Sequence, residues 1–294
     1  MATPQPGIFA QGARSHRHLE LDLRPGVAPQ QALAALQPLR QPSVAAGGAN
    51  IVVGFAPSLW RALAPAAAPD LLAEFPAVPG MPSTQHDLWV WCHGAGQDEL
   101  LDVVLAVRDL LDPVATVAEE VLGFVYHDSR DLTGFVDGTE NPGVEEAHEV
   151  ALVADGPGAG GTFAVTQRWV HHLDRWRALD VGEQEAVIGR TKPDSVELGE
   201  DVMPESSHVS RMVVEGDDGE ELAIYRRSVP YGTATEHGLH FVAFSAEPSR
   251  FTIMFERMFG VGDGVHDRIT EFSTPVTGAA WWVPSLESLG DVLG

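Results

Sequence analysis

A single acid, Asp137, lies between two glycines in residues 134–142, Gly-Phe-Val-Asp-Gly-Thr-Glu-Asn-Pro. Glycine lets the backbone turn tightly and approach a ligand, so a ligand could bind around the Asp137 carboxylate. The same pattern is typical of a turn in which the aspartate caps its own loop through a hydrogen bond. Glu140 and Asn141 are likewise residue types that are common in turns. Spacing alone favours a structural turn over a ligand site.

A second segment with potential chemistry is the acidic loop at residues 194–221, which contains ten acids, one arginine and His208. Loops of this length in a compact domain are usually functional or mobile. Imidazole is a common metal ligand, but the chain has twelve histidines, so His208 alone is more often a surface or core residue. Farther along, Arg226 and Arg227 end a predicted strand. Because neighbouring strand residues face opposite sides, at most one of them faces a pocket.

Other clusters have simpler structural interpretations. The pairs His16/His18 and His171/His172 have no obvious third ligand nearby in sequence, so we expect both pairs on the solvated surface. A stripe of aromatic and methionine side chains at helical spacing is predicted to be core, and comprises Phe251, Met254, Phe255, Met258 and Phe259.

Composition narrows the class of protein. The 294 residues carry 18 Lys and Arg against 42 Asp and Glu, a net charge of −24 that argues against a nucleic-acid partner. Cys92 is the only cysteine, so neither an intrachain disulfide nor a cysteine-based metal cage can form. No apolar run approaches the roughly 20 residues that cross a bilayer, and the N-terminus lacks a signal-peptide pattern. We therefore predict a cytoplasmic protein with no membrane partner.

The order of predicted elements repeats along the chain. The first series has strands at residues 16–23, 50–55, 87–92 and 116–126, with helices at 30–39 and 99–111. The second has strands at 162–171, 222–227, 239–244 and 281–283, with helices at 183–188 and 249–259. This order predicts an α+β protein of two ferredoxin-like βαββαβ halves, each an antiparallel sheet with helices on one face. We place the halves at residues 1–145 and 146–294.

Six segments together resemble the dye-decolorising peroxidase family of haem proteins, in the family's order along nearly the whole chain. They are Pro-Gly-Ile at 6–8, the segment at 134–142, Ile-Gly-Arg-Thr-Lys at 188–192, Ser-His-Val at 207–209, Arg-Arg-Ser-Val-Pro-Tyr-Gly at 226–232 and Phe-Ser-Thr-Pro-Val-Thr-Gly at 272–278. The short chain without a twin-arginine leader is similar to the bacterial intracellular subgroup. The resemblance implies a fold of the dimeric α+β barrel type with haem b in the C-terminal half.

The resemblance also implies roles for particular residues on one side of the haem. His208 would be the ligand of the iron. Asp267 would accept the second N–H of that imidazole and make the ring more anionic. Arg190 would pair with a haem propionate, because a planar guanidinium fits a carboxylate.

Three further residues would lie on the opposite side of the haem. Asp137 would move a proton between the two oxygens of peroxide, and Arg226 would stabilise the charge that develops as the O–O bond breaks. Either of these two residues could dominate. Ser228 stands where some relatives have asparagine, a difference that bears on how peroxide or its water is positioned.

The implied activity is that of a haem peroxidase, which reduces hydrogen peroxide and oxidises small organic reductants (dyes, phenolics) or manganese in one-electron steps. At low salt the negative charge would favour cationic reductants. Bulky dyes would need a surface relay, for which Trp281, Trp282 and Tyr231 are candidates. We expect a homo-oligomer, and no dedicated tail for loading into a protein nanocompartment. The alternatives are a haem-handling protein with incidental peroxidase activity and a structural α+β binding module.

Overall fold

The computed structural model describes residues 2–39, 49–94, 96–216, 219 and 221–294. The described strands are β1 (Ser15–Leu23), β2 (Asn50–Phe55), β3 (Leu88–Gly94), β4 (Ala115–Phe124), β5 (Thr162–His171), β6 (Tyr225–Arg226), β7 (Val229–Gly232), β8 (His237–Ser245), β9 (Ser273–Pro275) and β10 (Ala279–Val283). The described α-helices are α1 (Pro29–Leu36), α2 (Pro57–Leu63), α3 (Gln97–Leu111), α4 (Val144–Ala151), α5 (Leu173–Arg177), α6 (Val181–Ile188), α7 (His208–Met212), α8 (Ser249–Met258) and α9 (Leu286–Leu293). Short 3-10 helices occur at Pro6–Ile8, Gln37–Leu39 and Arg268–Glu271.

Eight of these strands close into an antiparallel barrel in the order β8-β7-β4-β1-β3-β2-β10-β5, with β5 pairing back to β8. The strands β4-β1-β3-β2 come from the first half of the chain, and β10-β5-β8-β7 come from the second. Each set of four has the same relative order, as two ferredoxin-like halves should. The predicted α+β fold with two such halves is therefore confirmed, and the boundary between residues 145 and 146 stays a prediction.

The helices cover the outside of the barrel because each has one apolar face. In α3, the buried residues Leu100, Val104, Val107 and Leu111 recur at helical spacing, whereas the intervening residues are mostly exposed. Acids at the start of α3 and Arg108 near its end also suit the helix dipole. The main hydrophobic core thus forms between the outer face of the sheet and helices such as α1, α2, α3 and α9.

The inside of the barrel contains an unusual number of histidines and tryptophans. Trp91 stacks on Trp89, and Trp89 on Trp281, with ring centres 6.1 and 6.2 Å apart. His16 and His18 lie among these rings and are 4% and 1% exposed. The expectation that this histidine pair is solvated was wrong, because barrel closure turns their face of β1 inward.

The expectation of a solvated surface was also wrong for His171, which is buried with Nδ1 2.8 Å from Ser273 Oγ, whereas its neighbour His172 is only partly covered. The three candidates for a surface relay, Trp281, Trp282 and Tyr231, are all buried in the barrel wall or beneath the helices that cover it. The alternation of residues along a strand does not indicate whether other parts of the chain will pack against both of its faces.

The remaining differences from prediction concern short elements. The predicted strand at 222–227 is reduced to Tyr225–Arg226, and the stretch between the predicted strands at 116–126 and 162–171 contains α4. The acidic loop contains α7, while residues 217, 218 and 220 of that loop lie outside the described residues. Helices of one or two turns carry too little periodicity to be recognised from sequence. Among the described helices, each is too short or too polar to cross a membrane.

Candidate active site

His208 is the first residue of α7, and its imidazole is held by a buried acid. Ser207 begins the helix by accepting a hydrogen bond from the backbone N–H of Ser210. His208 Nδ1 lies 2.6 Å from Asp267 Oδ2, and the Asp267 side chain is completely buried. The other oxygen, Oδ1, accepts the backbone N–H of Ile269 at 2.9 Å. Asp267 is thereby fixed by its own 3-10 turn, and it fixes the orientation of the His208 ring.

Every residue to which the resemblance gives a role, except the fully buried Asp267, lines one cavity. Its volume is about 1500 Å³, including the space at its open mouth. His208, Arg190, Asp137, Arg226 and Ser228 all contribute to its surface. The rest of the lining is largely apolar and includes Ile188, Met212, Leu239, Phe241, Met254 and Phe255.

The apolar stripe of α8 has two different roles. Met254 and Met258 line the cavity, Phe251 lies in the main hydrophobic core, and Phe255 contributes to both. The prediction that the whole stripe is plain core was therefore wrong for Met254 and Met258. The helical pattern shows which face of α8 is covered, but not whether protein or a cavity lies against it.

Asp137 lies in a loop whose shape depends on glycine and on Arg130. Gly134 and Gly138 adopt φ values of 91° and 78°, which L side chains rarely adopt. Arg130 Nη1 donates to the carbonyls of Gly134 and Lys192, both at 2.9 Å. The Asp137 backbone N–H donates to Ser129 O at 3.0 Å, which leaves the carboxylate facing the cavity.

The protein raises the pKa of Asp137 above its ordinary value. Burial is the largest cause, because it disfavours the charged carboxylate. The positive charge of Arg226 opposes this effect, and the nearby carboxylate of Asp131 adds to it. The side chain is surrounded by protein but retains some surface open to the cavity, so it is poorly hydrated and still accessible.

Arg226 is held by Asn141, a residue whose role sequence reasoning missed. Asn141 Oδ1 accepts the backbone N–H of Arg226 at 2.8 Å, and Asn141 Nδ2 donates to its carbonyl at 2.7 Å. Arg227 lies differently: its guanidinium donates to the carbonyls of Ile8 and Ala10 at 2.6 and 2.7 Å and covers Trp91. Asn141 is a turn residue as expected, since its backbone N–H donates to Gly138 O at 3.1 Å, but no signal within the sequence connected its side chain to β6.

Asp137, Arg226 and Ser228 also form a wall shared with a second cavity. This neighbouring cavity is lined in addition by Phe9, Tyr126 and other residues, but not by His208. Ser228 Oγ accepts the backbone N–H of Val242 at 3.3 Å, which directs this side chain from the β6–β7 connection toward β8. The wall is thus accessible from two sides.

Arg190 lies at the rim of the larger cavity and is already paired with acids. Its Nη2 binds Glu140, and also Glu197 at 2.7 Å. Its Nη1 donates to the carbonyl of Ser195 at 2.8 Å. A third acid, Glu221, has a raised pKa because of burial and then because of the charges of Glu140 and Glu197. The rim is therefore acidic despite Arg190.

A chain of hydrogen bonds that was not foreseen borders the same cavity. Asp131 Oδ1 lies 3.0 Å from His171 Nε2, and His171 Nδ1 lies 2.8 Å from Ser273 Oγ. Asp131 Oδ2 also accepts hydrogen bonds from the backbone and hydroxyl of Thr133. Burial alone would raise the pKa of Asp131, but the charge of His171 and these hydrogen bonds outweigh it and lower the pKa to about 2.

Comparison with known proteins agrees with this arrangement. The family model described as Dyp-type peroxidase, N-terminal, matches residues 26–125, and the one described as Dyp-type peroxidase, C-terminal, matches residues 128–288. A dye-decolorizing peroxidase of Rhodococcus erythropolis is 37% identical over 257 residues, covering 84% of this chain and 75% of that protein. A dye-decolorizing protein from V. cholerae is 38% identical with a TM-score of 0.88, covering 98% of this chain and 99% of that one. A variant of DypB from Rhodococcus jostii, in complex with haem, is 32% identical with a TM-score of 0.91, covering 98% of both chains.

The fold and the matches define a peroxidase of the haem-dependent class, and the activity and cofactor expected from the sequence are confirmed at that level. Within this class, the chain belongs to the dye-decolorising peroxidase family.

Proposed function

We propose that this chain reduces hydrogen peroxide at a haem b bound between His208 and the wall that contains Asp137 and Arg226. The observation that carries the proposal is the 2.6 Å contact of His208 Nδ1 with buried Asp267. This contact leaves Nε2 as the ring nitrogen available for a metal, and a carboxylate behind a histidine is typical of metal ligands.

The donor set and the cavity walls fit haem. His208 would supply the bond to iron, and the apolar side chains from α8 and β8 would contact the porphyrin ring. When bound, haem supplies the redox-active iron at which peroxide reacts. Arg190 would bind a propionate, which would take the place of Glu140 or Glu197 on its guanidinium.

Asp137 would carry the proton that peroxide must relocate. Its ionised carboxylate accepts the proton from one peroxide oxygen and returns it to the other, so that water leaves. Burial supports this role, since a raised pKa brings the carboxyl nearer to the pH at which it can both accept and donate. The second cavity supports it further, because it offers small molecules a way to the same wall.

Arg226 would stabilise the negative charge that develops as the O–O bond breaks. Its guanidinium faces the cavity, and both polar groups of its backbone are fixed by Asn141. A donor that is already in place needs no rearrangement at the moment of reaction, which is why such groups contribute strongly.

For the reductants, we propose small cationic molecules and Mn²⁺ ahead of anionic dyes, with phenolics as neutral donors. The net charge of −24 and the acidic rim at Glu140, Glu197 and Glu221 support this order. With Trp281, Trp282 and Tyr231 buried, direct oxidation at the cavity mouth is favoured over a relay through these three residues.

The test is a rapid-mixing titration of the haem-loaded chain with peroxide, followed through the haem absorbance. Asp137→Asn and Arg226→Leu should each slow the first absorbance change, by about 100- to 1000-fold for loss of the Arg226 donor. Equal haem content in both variants is the control. An unchanged rate in one variant would remove that residue from the mechanism, whereas an unchanged rate in both would overturn the proposed distal chemistry.

The same preparation distinguishes the peroxidase function from that of a haem-handling protein. That function predicts weak catalytic efficiency with every reductant and rapid haem transfer to an acceptor protein. The peroxidase function predicts kcat/KM for peroxide within the usual enzyme range of about 10⁴–10⁸ M⁻¹s⁻¹ and slow haem loss. The homo-oligomer, the bacterial intracellular subgroup and the cytoplasmic location stay predictions.

A further inference from the structure

Three potential metal ligands meet inside one end of the barrel, outside the haem cavity. They are Glu20 on β1, His86 in the segment before β3, and Glu119 on β4. One ligating atom from each lies within 4.8 Å of the other two. The proposed peroxidase chemistry uses none of these residues.

Glu20 is buried with one of its oxygens unpaired. The residue is 3% exposed, and its Oε1 accepts a hydrogen bond from Thr166 Oγ1 at 2.7 Å, whereas Oε2 has no partner. A buried polar atom without a partner is costly, and native proteins usually satisfy such atoms with water or an ion. A cation beside Glu20 would give Oε2 the partner that it lacks.

The register of the sheet makes the need for a cation stronger. Glu20 pairs directly with Glu119 across β1 and β4, beside an irregularity between Glu20 and Leu21. Like charges directly opposite each other destabilise an antiparallel pair. A divalent ion between the two carboxylates would remove the repulsion.

His86 is oriented as metal-binding histidines usually are. Its Nδ1 lies 2.8 Å from Asp22 Oδ1, which leaves Nε2 as the free ring nitrogen. The side chain of His86 is 20% exposed and that of Asp22 is 50% exposed, so an ion can enter from solvent at this end of the barrel.

One cation, Arg168, already contacts the group, but it does not neutralise it. Arg168 Nε donates to Glu119 Oε1 at 2.8 Å, and its Nη1 binds Glu236. The guanidinium is therefore shared between two carboxylates, and Glu20 and Asp22 remain in excess. Arg168 fixes one oxygen of Glu119 and leaves the other available.

The group is separated from the haem cavity by strand β5. Thr166 and Arg168 contact Glu20 and Glu119 on the interior side of this strand. Gln167 and Trp169, which alternate with them, line the haem cavity on the other side. An ion bound by the group would therefore not be a ligand of the haem or of peroxide.

We propose that Glu20, His86 and Glu119 bind one divalent transition-metal ion of the Zn²⁺ or Mn²⁺ type, with Asp22 orienting His86. Two carboxylates and one imidazole suit such ions, and Mg²⁺ is less well matched because it prefers oxygen donors and retains water. The ion ties together β1, β4 and the segment before β3, and so stabilises this end of the barrel.

The test is calorimetric titration of the haem-loaded, chelator-treated chain with Zn²⁺ and, separately, with Mn²⁺ in excess Mg²⁺. We expect one tight site in the wild type, distinct from any binding of Mn²⁺ at the acidic rim, and at least a tenfold loss of affinity for that tight site in His86→Gln and in Glu119→Gln. Asp22→Asn, which alters a half-exposed orienting residue, should weaken binding by about 10- to 100-fold. The thermal unfolding midpoint should rise with metal in the wild type and not in His86→Gln.

Matched controls locate the site. Glu120→Gln changes the neighbouring acid on the outer face of β4, and His172→Gln changes another partly exposed histidine. Glu197→Gln changes the rim of the haem cavity. All three should keep the tight site with the affinity of the wild type, with circular dichroism and haem absorbance verifying the fold of every variant. Absence of binding by the wild type, unchanged affinity in both His86→Gln and Glu119→Gln, or loss of the site in Glu197→Gln would overturn the proposal.

Discussion

Asn141 forms a two-point contact with Arg226: Oδ1 accepts the arginine's backbone N–H at 2.8 Å, and Nδ2 donates to its carbonyl at 2.7 Å. Asn141 follows Asp137 by four residues in the same loop, whereas Arg226 comes from β6. The contact therefore fixes the loop that carries the proposed proton acceptor relative to the strand that carries the proposed cationic donor.

Asn141→Ala should reduce both the rate with peroxide and the stability of the chain. Two backbone groups of Arg226 lose their partners, which costs about 1–3 kcal/mol for each group that water does not reach. A small displacement of Arg226 should lower the rate of the first haem absorbance change by up to about 100-fold. Glu140→Gln is the matched control, because its side chain in the same loop binds Arg190 instead. Equal rates for Asn141→Ala and this control would show that Asn141 does not position Arg226.

Asp267→Asn should raise the reduction potential of the bound haem iron. The amide keeps the shape of the carboxylate but carries no charge, so it makes the His208 imidazole less anionic and favours the reduced metal. We expect a loss of about 10- to 100-fold in activity, and spectroelectrochemistry of the haem-loaded variant measures the potential. A potential equal to that of the wild type would rule out charge donation through His208.

Asp137 should set the acid limb of the pH profile for peroxide. Its carboxylate must be ionised to accept a proton, so the rate falls as the pH drops through its pKa. Burial raises that pKa, and we therefore expect the limb above pH of about 4, the ordinary value for aspartate. The profile of kcat/KM for peroxide measures it, and Asp137→Asn should abolish the limb. A profile centred above pH of about 8 would contradict the role of Asp137.

Asp131 should contribute to stability at neutral pH but not in strong acid. Its pKa in the folded chain is about 2, below the ordinary value, so the carboxylate is more favourable in the folded state. This contribution is complete above pH of about 4 and disappears as the pH falls through 2. Asp131→Asn should therefore lower the free energy of unfolding by about 2 kcal/mol at pH 7, and denaturant titrations at several pH values test this. Asp128→Asn, which removes an exposed carboxylate paired with Arg130 in the same loop, should have a much smaller effect on stability, because water screens an exposed ion pair.

The acidic surface should make the oxidation of charged reductants depend on salt. For a cationic reductant, kcat/KM should fall as ionic strength rises, because the Debye length shrinks from about 8 Å at 0.15 M to about 3 Å at 1 M. For an anionic dye it should rise. If the acidic rim attracts the cationic reductant, replacing both Glu197 and Glu221 by glutamine should make kcat/KM for that reductant less dependent on ionic strength. Steady-state kinetics with a matched cationic and anionic pair decides this, and identical salt dependence for the two would contradict steering.

Much of the fold was evident from the sequence because alternation and helical spacing are local properties. β1, β2, β3, α3 and α8 each lie within a few residues of their predicted positions, and their order indicated the two ferredoxin-like halves. The short helix α7 was not evident, because five residues carry too little periodicity. The cavity-facing role of Met254 and Phe255 was missed for a different reason: the covered face of a helix looks the same whether protein or a ligand covers it.

The sequence by itself determined the family and the identity of the residues proposed to act, because those motifs are contiguous along the chain. Only the tertiary structure decided what those residues contact. Asp267 reaches His208 across 59 residues, Asn141 reaches Arg226 across 85, and Glu20 meets Thr166 across 146. Such contacts depend on strand register and on closure of the barrel, which are determined by the packing of the whole chain and not by any local pattern.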